Sequence, residues 1–171
     1  LEVPLNSPDP FTSIALLRRA LPADALVGAG TVLSPERVER LLEAGGELVV
    51  MPHADTQVIR AAKAAGLLCV PGVATPSEAF AALDAGADAL KLFPAELVTP
   101  AVLKAMRAVL PKSTLLLPVG GIAPHTMAPY LAAGANGFGL GSALYAPGMS
   151  AAQVGERARS FVAAWKAQTK G

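Results

Sequence analysis

Lys91 sits in the middle of an apolar run, Ala87–Phe93, where a charged residue is out of place. Side chains alternate along a strand, so Ala87, Ala89, Lys91 and Phe93 share one face and Asp88, Leu90 and Leu92 the other. The bulky leucines suit a helix layer and the small alanines a crowded interior, which directs Lys91 inward. A buried ammonium must be paired or have a lowered pKa. A neutral amine in a dry pocket attacks a ketone to give an imine. Two plainer readings stand beside this one: a lysine extending its amine out to water, or one paired with Asp88.

Glu2 is the second candidate. It lies on an expected strand with Pro4, opposite Leu1, Val3 and Leu5, where a carboxylate raised in pKa by burial can act as general acid–base. The plainer reading is an edge charge near a chain end. Gly120-Gly121 follows the run ending at Val119, and Phe138-Gly139-Leu140-Gly141-Ser142 leaves the last apolar run. Backbone N–H groups in such glycine loops converge on phosphate, although either cluster alone also reads as a turn. Gly28-Ala29-Gly30-Thr31 allows close approach of a ligand, and Thr31 can donate to a carboxylate; a third spaced glycine and the acidic partner of a dinucleotide site are missing.

Other residues offer less. His53 and His125, the only histidines, have no ligand spaced to share a metal. Cys69 reads as core, Trp165 as packing from the last helix, and Arg18-Arg19 with Arg157 and Arg159 as solvated helix faces. Acids and bases nearly balance, 13 against 14, without the basic stripe that nucleic-acid binding requires. Charges interrupt every apolar stretch before it reaches membrane-spanning length, so no membrane partner is expected. A single cysteine cannot form an internal disulfide and fits a reducing compartment, hence a cytoplasmic expectation; the chain opens at Leu1 without Met, which leaves targeting open.

The elements that position these groups repeat. Four segments end alike: Leu42-Glu43-Ala44-Gly45, Ala64-Ala65-Gly66, Leu83-Asp84-Ala85-Gly86 and Ala132-Ala133-Gly134. Each glycine falls where a helix should stop in the left-handed conformation. Helix starts recur at Asp9-Pro10, Ser34-Pro35, Thr75-Pro76, Thr99-Pro100 and Ala123-Pro124; in the first four the preceding side chain is suited to cap, with Glu78 completing a capping box on Thr75. Between them lie apolar runs at Leu1–Leu5, Ala25–Ala29, Glu47–Met51, Leu67–Val70, Ala87–Phe93, Thr114–Val119 and Gly137–Leu140, and an amphipathic helix is expected over Ala151–Lys170. Strands alternating with helices predict an α/β fold with a parallel sheet. A single-domain (β/α)8 barrel over residues 1–171, missing its first βα unit, explains the pattern better than an open doubly wound sheet. In a barrel, Lys91, Glu2, Thr31 and both glycine clusters fall at strand carboxyl ends, where function collects.

These residues together resemble the class I aldolases of 2-keto-3-deoxy-6-phosphogluconate and 2-keto-3-deoxy-6-phosphogalactonate. The resemblance is carried along the chain by Glu2-Val3-Pro4-Leu5-Asn6-Ser7-Pro8, Gly28-Ala29-Gly30-Thr31-Val32, Pro71-Gly72-Val73-Ala74-Thr75, Leu90-Lys91-Leu92-Phe93-Pro94, Val119-Gly120-Gly121-Ile122 and Gly139-Leu140-Gly141-Ser142. It implies an imine between Lys91 and the substrate C2 carbonyl, with Glu2 shuttling protons through a water. It further implies that Thr31 holds the pyruvate carboxylate, that Phe93 and Val119 belong to the substrate site, and that Gly120, Gly121, Gly141 and Ser142 bind phosphate. Products would be pyruvate and glyceraldehyde 3-phosphate, with no metal or organic cofactor and a homotrimeric assembly. Asn6 stands where the gluconate branch carries arginine, and Val119 where it carries threonine; both resemble the galactonate branch. The family's first strand carries a substrate-binding arginine, so an upstream βα unit of roughly 30 residues is expected. Rival readings are a phosphate-binding barrel isomerase, epimerase or synthase, a noncatalytic sugar-phosphate-binding barrel, and a nonphosphorylated hydroxy-oxoglutarate substrate.

Overall fold

Short parallel strands alternate with helices in the computed structural model, which describes residues 1–169. Two compact units divide the chain between Lys91 and Leu92. The first contains β1 (Glu2–Pro4), α1 (Pro10–Ala20), β2 (Gly28–Gly30), α2 (Pro35–Glu43), β3 (Leu48–Val50), α3 (Thr56–Ala64), β4 (Leu68–Val70), β5 (Gly72–Val73), α4 (Pro76–Asp84) and the start of β6 (Leu90–Leu92). Strands β1 to β4 pair in sequence order, all parallel, with Val3, Ala29, Val49 and Cys69 in one row. Ala29, Val49 and Cys69 are fully buried. Helices cover them with Val38 and Leu41 of α2 and Val58, Ile59 and Ala62 of α3. Each fully buried Val, Leu or Ile contributes about 1.5–3 kcal/mol relative to exposure.

The second unit contains the end of β6, α5 (Pro100–Val109), β7 (Leu116–Pro118), a 3-10 turn at Pro124–Thr126, α6 (Met127–Ala132) and α7 (Ala151–Thr169). Trp165 of α7 stacks edge-on against Phe138, and Phe138 edge-on against Tyr130 of α6, with centroids 6.3 and 6.4 Å apart. Lys170, the last residue of the helix expected here, lies outside the described residues. Among the described residues no helix is long and apolar enough to cross a membrane.

The repeated glycines end their helices as expected: Gly45, Gly66, Gly86 and Gly134 all have left-handed φ, between 74° and 105°. The starts differ. Of the four capping side chains expected there, only Thr75 bonds its helix's backbone, within the complete capping box with Glu78. Asp9 is itself left-handed at φ 42°, the Ser34 hydroxyl bonds the Glu36 carboxylate and so lowers its pKa, and Thr99 makes no cap bond. Proline at the first helical position fixes those starts without help from a side chain. Asp55 caps α3 instead, accepting from Gln57 N–H at 2.8 Å and Val58 N–H at 3.4 Å.

Two strand expectations also need correction. Gly137–Leu140 forms no ladder, only a bridge between Val119 and Gly139. A Cβ at Gly139 would lie 2.5 Å from Val119 Cγ2, so the approach requires glycine, and glycines leave little to pack a strand in place. Beyond Leu67–Val70, Gly72–Val73 forms β5, separated from β4 by Pro71, which has no N–H for a ladder. Arg18 is no solvated face: it donates to the carbonyls of Ala25, Leu21 and Pro22 and pairs with Glu47 at 2.8 Å.

Asp55→Ala should lower the unfolding free energy by about 1 kcal/mol. Ser34→Ala, at a start that uses no side-chain cap bond, should cost clearly less. Urea unfolding of both variants checks the contrast.

Candidate active site

The candidate side chains of the first unit lie on β1 and β6 and directly after β2. Lys91 is held by its own N–H, which donates to the Pro71 carbonyl at 2.9 Å. It is 9% exposed, between Leu90 and Leu92, which are fully buried. Burial holds its amine below the ordinary lysine range, and the Glu2 carboxylate opposes that shift. Asp88, the alternative partner for Lys91, is engaged elsewhere: its oxygens bond the Lys63 ammonium at 2.6 and 2.9 Å and the Cys69 N–H at 2.8 Å. Cys69 is core, as expected, with Sγ 3.9 Å from Met51 Sδ; burial pushes its thiol up to about 12, and Asp88 adds to the shift.

Glu2 keeps access to solvent, yet the protein packed around its carboxyl group removes enough water to raise its pKa, against the pull of the Lys91 charge. The parallel register sets Pro4 beside Gly30, and the Glu2 side chain lies over that glycine. A Cβ on Gly30 would fall 1.5 Å from Glu2 Oε2. The missing side chain at Gly30 is the space in which the carboxylate sits.

Thr31 follows directly and is left-handed, at φ 57°. A β-branched residue there is strained, by an order of 1–3 kcal/mol. Its neighbours hold it: the Gly30 carbonyl accepts from Leu5 N–H at 2.8 Å, and the Thr31 carbonyl from Arg37 Nη1 at 3.3 Å.

In the second unit Phe93, Val119, Gly120, Gly121, Gly141 and Ser142 line one cavity of about 210 Å³, with Ile122 and Ala143. Every second-unit residue expected to bind substrate is therefore in one place. The lining has no charged side chain, so its polar capacity is backbone N–H and the Ser142 hydroxyl. Its wall is fixed from behind: Val119 N–H donates to the Leu92 carbonyl at 3.0 Å, Ala95 N–H to the Val119 carbonyl at 2.8 Å, and the buried Tyr130 hydroxyl to the Ala95 carbonyl at 2.7 Å. The two Glu96 carboxylate oxygens lie 2.6 and 2.9 Å from where Gly120 and Gly121 would carry a Cβ. A larger hollow of about 280 Å³ beside α7, lined by Met127, Phe138, Phe161 and Trp165 among others, is almost wholly apolar and holds no reactive group.

Sequence reasoning missed Glu96, Tyr130 and Arg37, which shape the site from behind. Tyr130 had a usable signal, since a buried tyrosine hydroxyl needs a partner. His53 and His125 are exposed, and no group of metal-ligating residues occurs among the described residues.

The KDPG and KHG aldolase family model matches residues 1–157. The chain belongs to this aldolase family. A Rhizobium meliloti protein described as a probable 2-dehydro-3-deoxy-6-phosphogalactonate aldolase is 50% identical, over 98% of this chain and 79% of its own length. The 2-dehydro-3-deoxy-6-phosphogalactonate aldolase of Escherichia coli is 45% identical, over 97% of this chain and 81% of its own. A solved structure described as native KDPGal superposes with a TM-score of 0.97 at 44% identity, covering 99% of this chain and 82% of that one. The fold class read from the sequence, α/β with parallel strands as in this family's barrels, is the one found.

Two outcomes follow from the Glu2 surroundings. Gly30→Ala should displace the flexible end of the Glu2 side chain at a cost of up to about 1 kcal/mol, and Glu2→Ala in the same chain should return most of that loss, because the clashing group is gone. Urea unfolding of the single and double variants reads this. Only a neutral amine adds to a carbonyl, so reductive trapping of pyruvate on Lys91 is expected to rise with pH, with its midpoint below the ordinary lysine range. The Glu2 charge holds the Lys91 pKa up; Glu2→Gln should therefore shift the midpoint of that rise to lower pH, measured by cyanoborohydride trapping.

Proposed function

We propose that the chain is a class I aldolase that cleaves 2-dehydro-3-deoxy-6-phosphogalactonate to pyruvate and D-glyceraldehyde 3-phosphate through an imine on Lys91. The observation that carries this reading is a buried lysine with a lowered pKa, facing the charge of a carboxylate with a raised one. Opposed shifts bring an acid and a base closer to a common proton affinity, which lowers the cost of moving a proton between them.

The Lys91 amine adds to the C2 carbonyl, and a proton relayed from the Glu2 carboxyl group through a water lets the oxygen leave as water, giving an iminium and a Glu2 carboxylate. Glu2, acting through a water, takes the proton from the C4 hydroxyl. The C3–C4 bond then breaks, its electrons flow to the iminium nitrogen, and the aldehyde departs from an enamine. Protonation at C3 and hydrolysis release pyruvate and restore the amine. Thr31 holds the pyruvate carboxylate, its strained backbone kept in place for binding. The cavity lined by Gly120, Gly121, Gly141 and Ser142 takes the phosphate on backbone N–H groups, with Phe93 on the substrate side. Neither metal nor organic cofactor is needed for this sequence of steps.

The galactonate epimer is favoured by Val119, which cannot hydrogen-bond a C4 oxygen, and by Asn6 in place of arginine. The two relatives named for the galactonate substrate support the same choice. The family match runs through both units, which supports reading residues 1–171 as one aldolase domain. The reading includes a cytoplasmic homotrimer, as the family resemblance implies.

Incubation with pyruvate and borohydride should leave a reduced pyruvyl adduct on Lys91, located by peptide mass spectrometry. Lys91→Ala should abolish the adduct and lower kcat by at least about a thousandfold. Val119→Thr should shift kcat/KM toward the gluconate epimer by about tenfold. An unmodified Lys91 in folded, concentrated protein would sink the imine mechanism.

A further inference from the structure

The segment after the last bridge makes an unusual use of its carbonyls. The Gly141 carbonyl accepts from Leu144 N–H at 2.8 Å and Tyr145 N–H at 3.0 Å. The Ser142 and Ala143 carbonyls both accept from Arg157 Nη1, at 3.4 and 3.3 Å. All three consecutive carbonyls are thus tied to donors, whereas among the described residues the Ser142 and Ala143 N–H groups donate to no protein acceptor. A trans peptide is planar with C=O and N–H antiparallel. Holding the Ser142 carbonyl toward Arg157 therefore turns the Ala143 N–H away from it. Ser142 and Ala143 line the cavity of about 210 Å³ and Arg157 does not.

Arg157 is exposed, but the helix that carries it has a fixed start. It lies on α7, whose start is fixed by reciprocal bonds: Ser150 N–H donates to Gln153 Oε1 at 2.8 Å, and Gln153 N–H to Ser150 Oγ at 3.3 Å. Its charge matters because the cavity lining contains none. Arg107 of the same unit bonds instead the Thr114 and Gly134 carbonyls and Asn136 Oδ1. A guanidinium on the carbonyl side of a peptide polarises it and strengthens its N–H as a donor on the far side.

We propose that Arg157 is a positioning residue for the phosphate end of the substrate: it fixes and polarises the Ser142–Ala143 peptide so that the Ala143 N–H receives the phosphate dianion, while the Gly141 carbonyl, tied to Leu144 and Tyr145, orients the Ser142 N–H. The proposal rests on the reading of this cavity as the phosphate site. It makes Arg157 a determinant of selectivity for phosphorylated over nonphosphorylated 2-oxo acids. Lysine at this position supplies the charge as a compact, strongly hydrated ammonium on a different stem, so it replaces the guanidinium only in part.

The test compares kcat and KM for the phosphorylated substrate and for a nonphosphorylated 4-hydroxy-2-oxo acid in the unaltered protein, Arg157→Ala and Arg157→Lys, with inorganic phosphate as competitor. In Arg157→Ala the KM for the phosphorylated substrate and the inhibition constant of phosphate should each rise about tenfold, the scale of a weakened charge-assisted contact. Its kcat, its nonphosphorylated activity and pyruvate trapping on Lys91 should stay within about twofold. Arg157→Lys should recover part of the loss. An unchanged phosphate inhibition constant in Arg157→Ala, or equal losses on both substrates, overturns the role of Arg157. Failure of phosphate to compete in the unaltered protein instead overturns the phosphate reading of the cavity itself.

Discussion

A lysine deprived of water but not of a neighbouring carboxylate is the constraint around which the first unit is arranged. Burial pulls the Lys91 pKa down and the Glu2 charge pulls it up, so the apolar walls and the carboxylate act in opposite senses on the same group. The balance depends on keeping other acids away. Asp88, three residues before Lys91, is taken up by Lys63 and by the Cys69 N–H. A surface ion pair of this kind adds little to stability. Its larger effect is to occupy a carboxylate that stands near the reactive amine in sequence.

The two units use different parts of the residue. In the first, the candidate groups are side chains, and glycine serves as vacated space: Gly30 is where the Glu2 carboxylate fits. In the second, the cavity wall is backbone, and the side chains that matter stand behind it. Tyr130, through the Ala95 carbonyl, and Glu96, against Gly120 and Gly121, hold one part of that wall. An anion bound by peptide N–H groups is bound only as well as those peptides are oriented, so support from behind counts as much as the lining.

Much of this was legible in the residues. Strand alternation put Lys91 inside, and the recurring Ala-Gly endings marked helix stops that the left-handed glycines bear out. What escaped has common physical causes. Asp9 and Ser34 are good capping types, but capping depends on the φ of the residue and on rival acceptors, which residue type does not specify. Gly137–Leu140 carries strand-like apolar residues, yet alternate glycines leave it a single bridge. Arg157 reads as a solvated charge because a helix face turned to water and one turned to a loop's carbonyls have the same composition. Glu96 and Tyr130 are separated by a helix and a strand, so only tertiary structure brings both to the same wall.

Cys69 has a practical consequence of a different kind. It is the chain's only thiol, fully buried, with the thiolate disfavoured by burial and by the adjacent Asp88 charge. Alkylating and maleimide reagents attack thiolates, so this protein presents them with almost no background. A cysteine introduced on any exposed loop would be the sole labelling site, and a fluorophore or spin probe could follow a chosen segment during turnover without first deleting a native residue from the core.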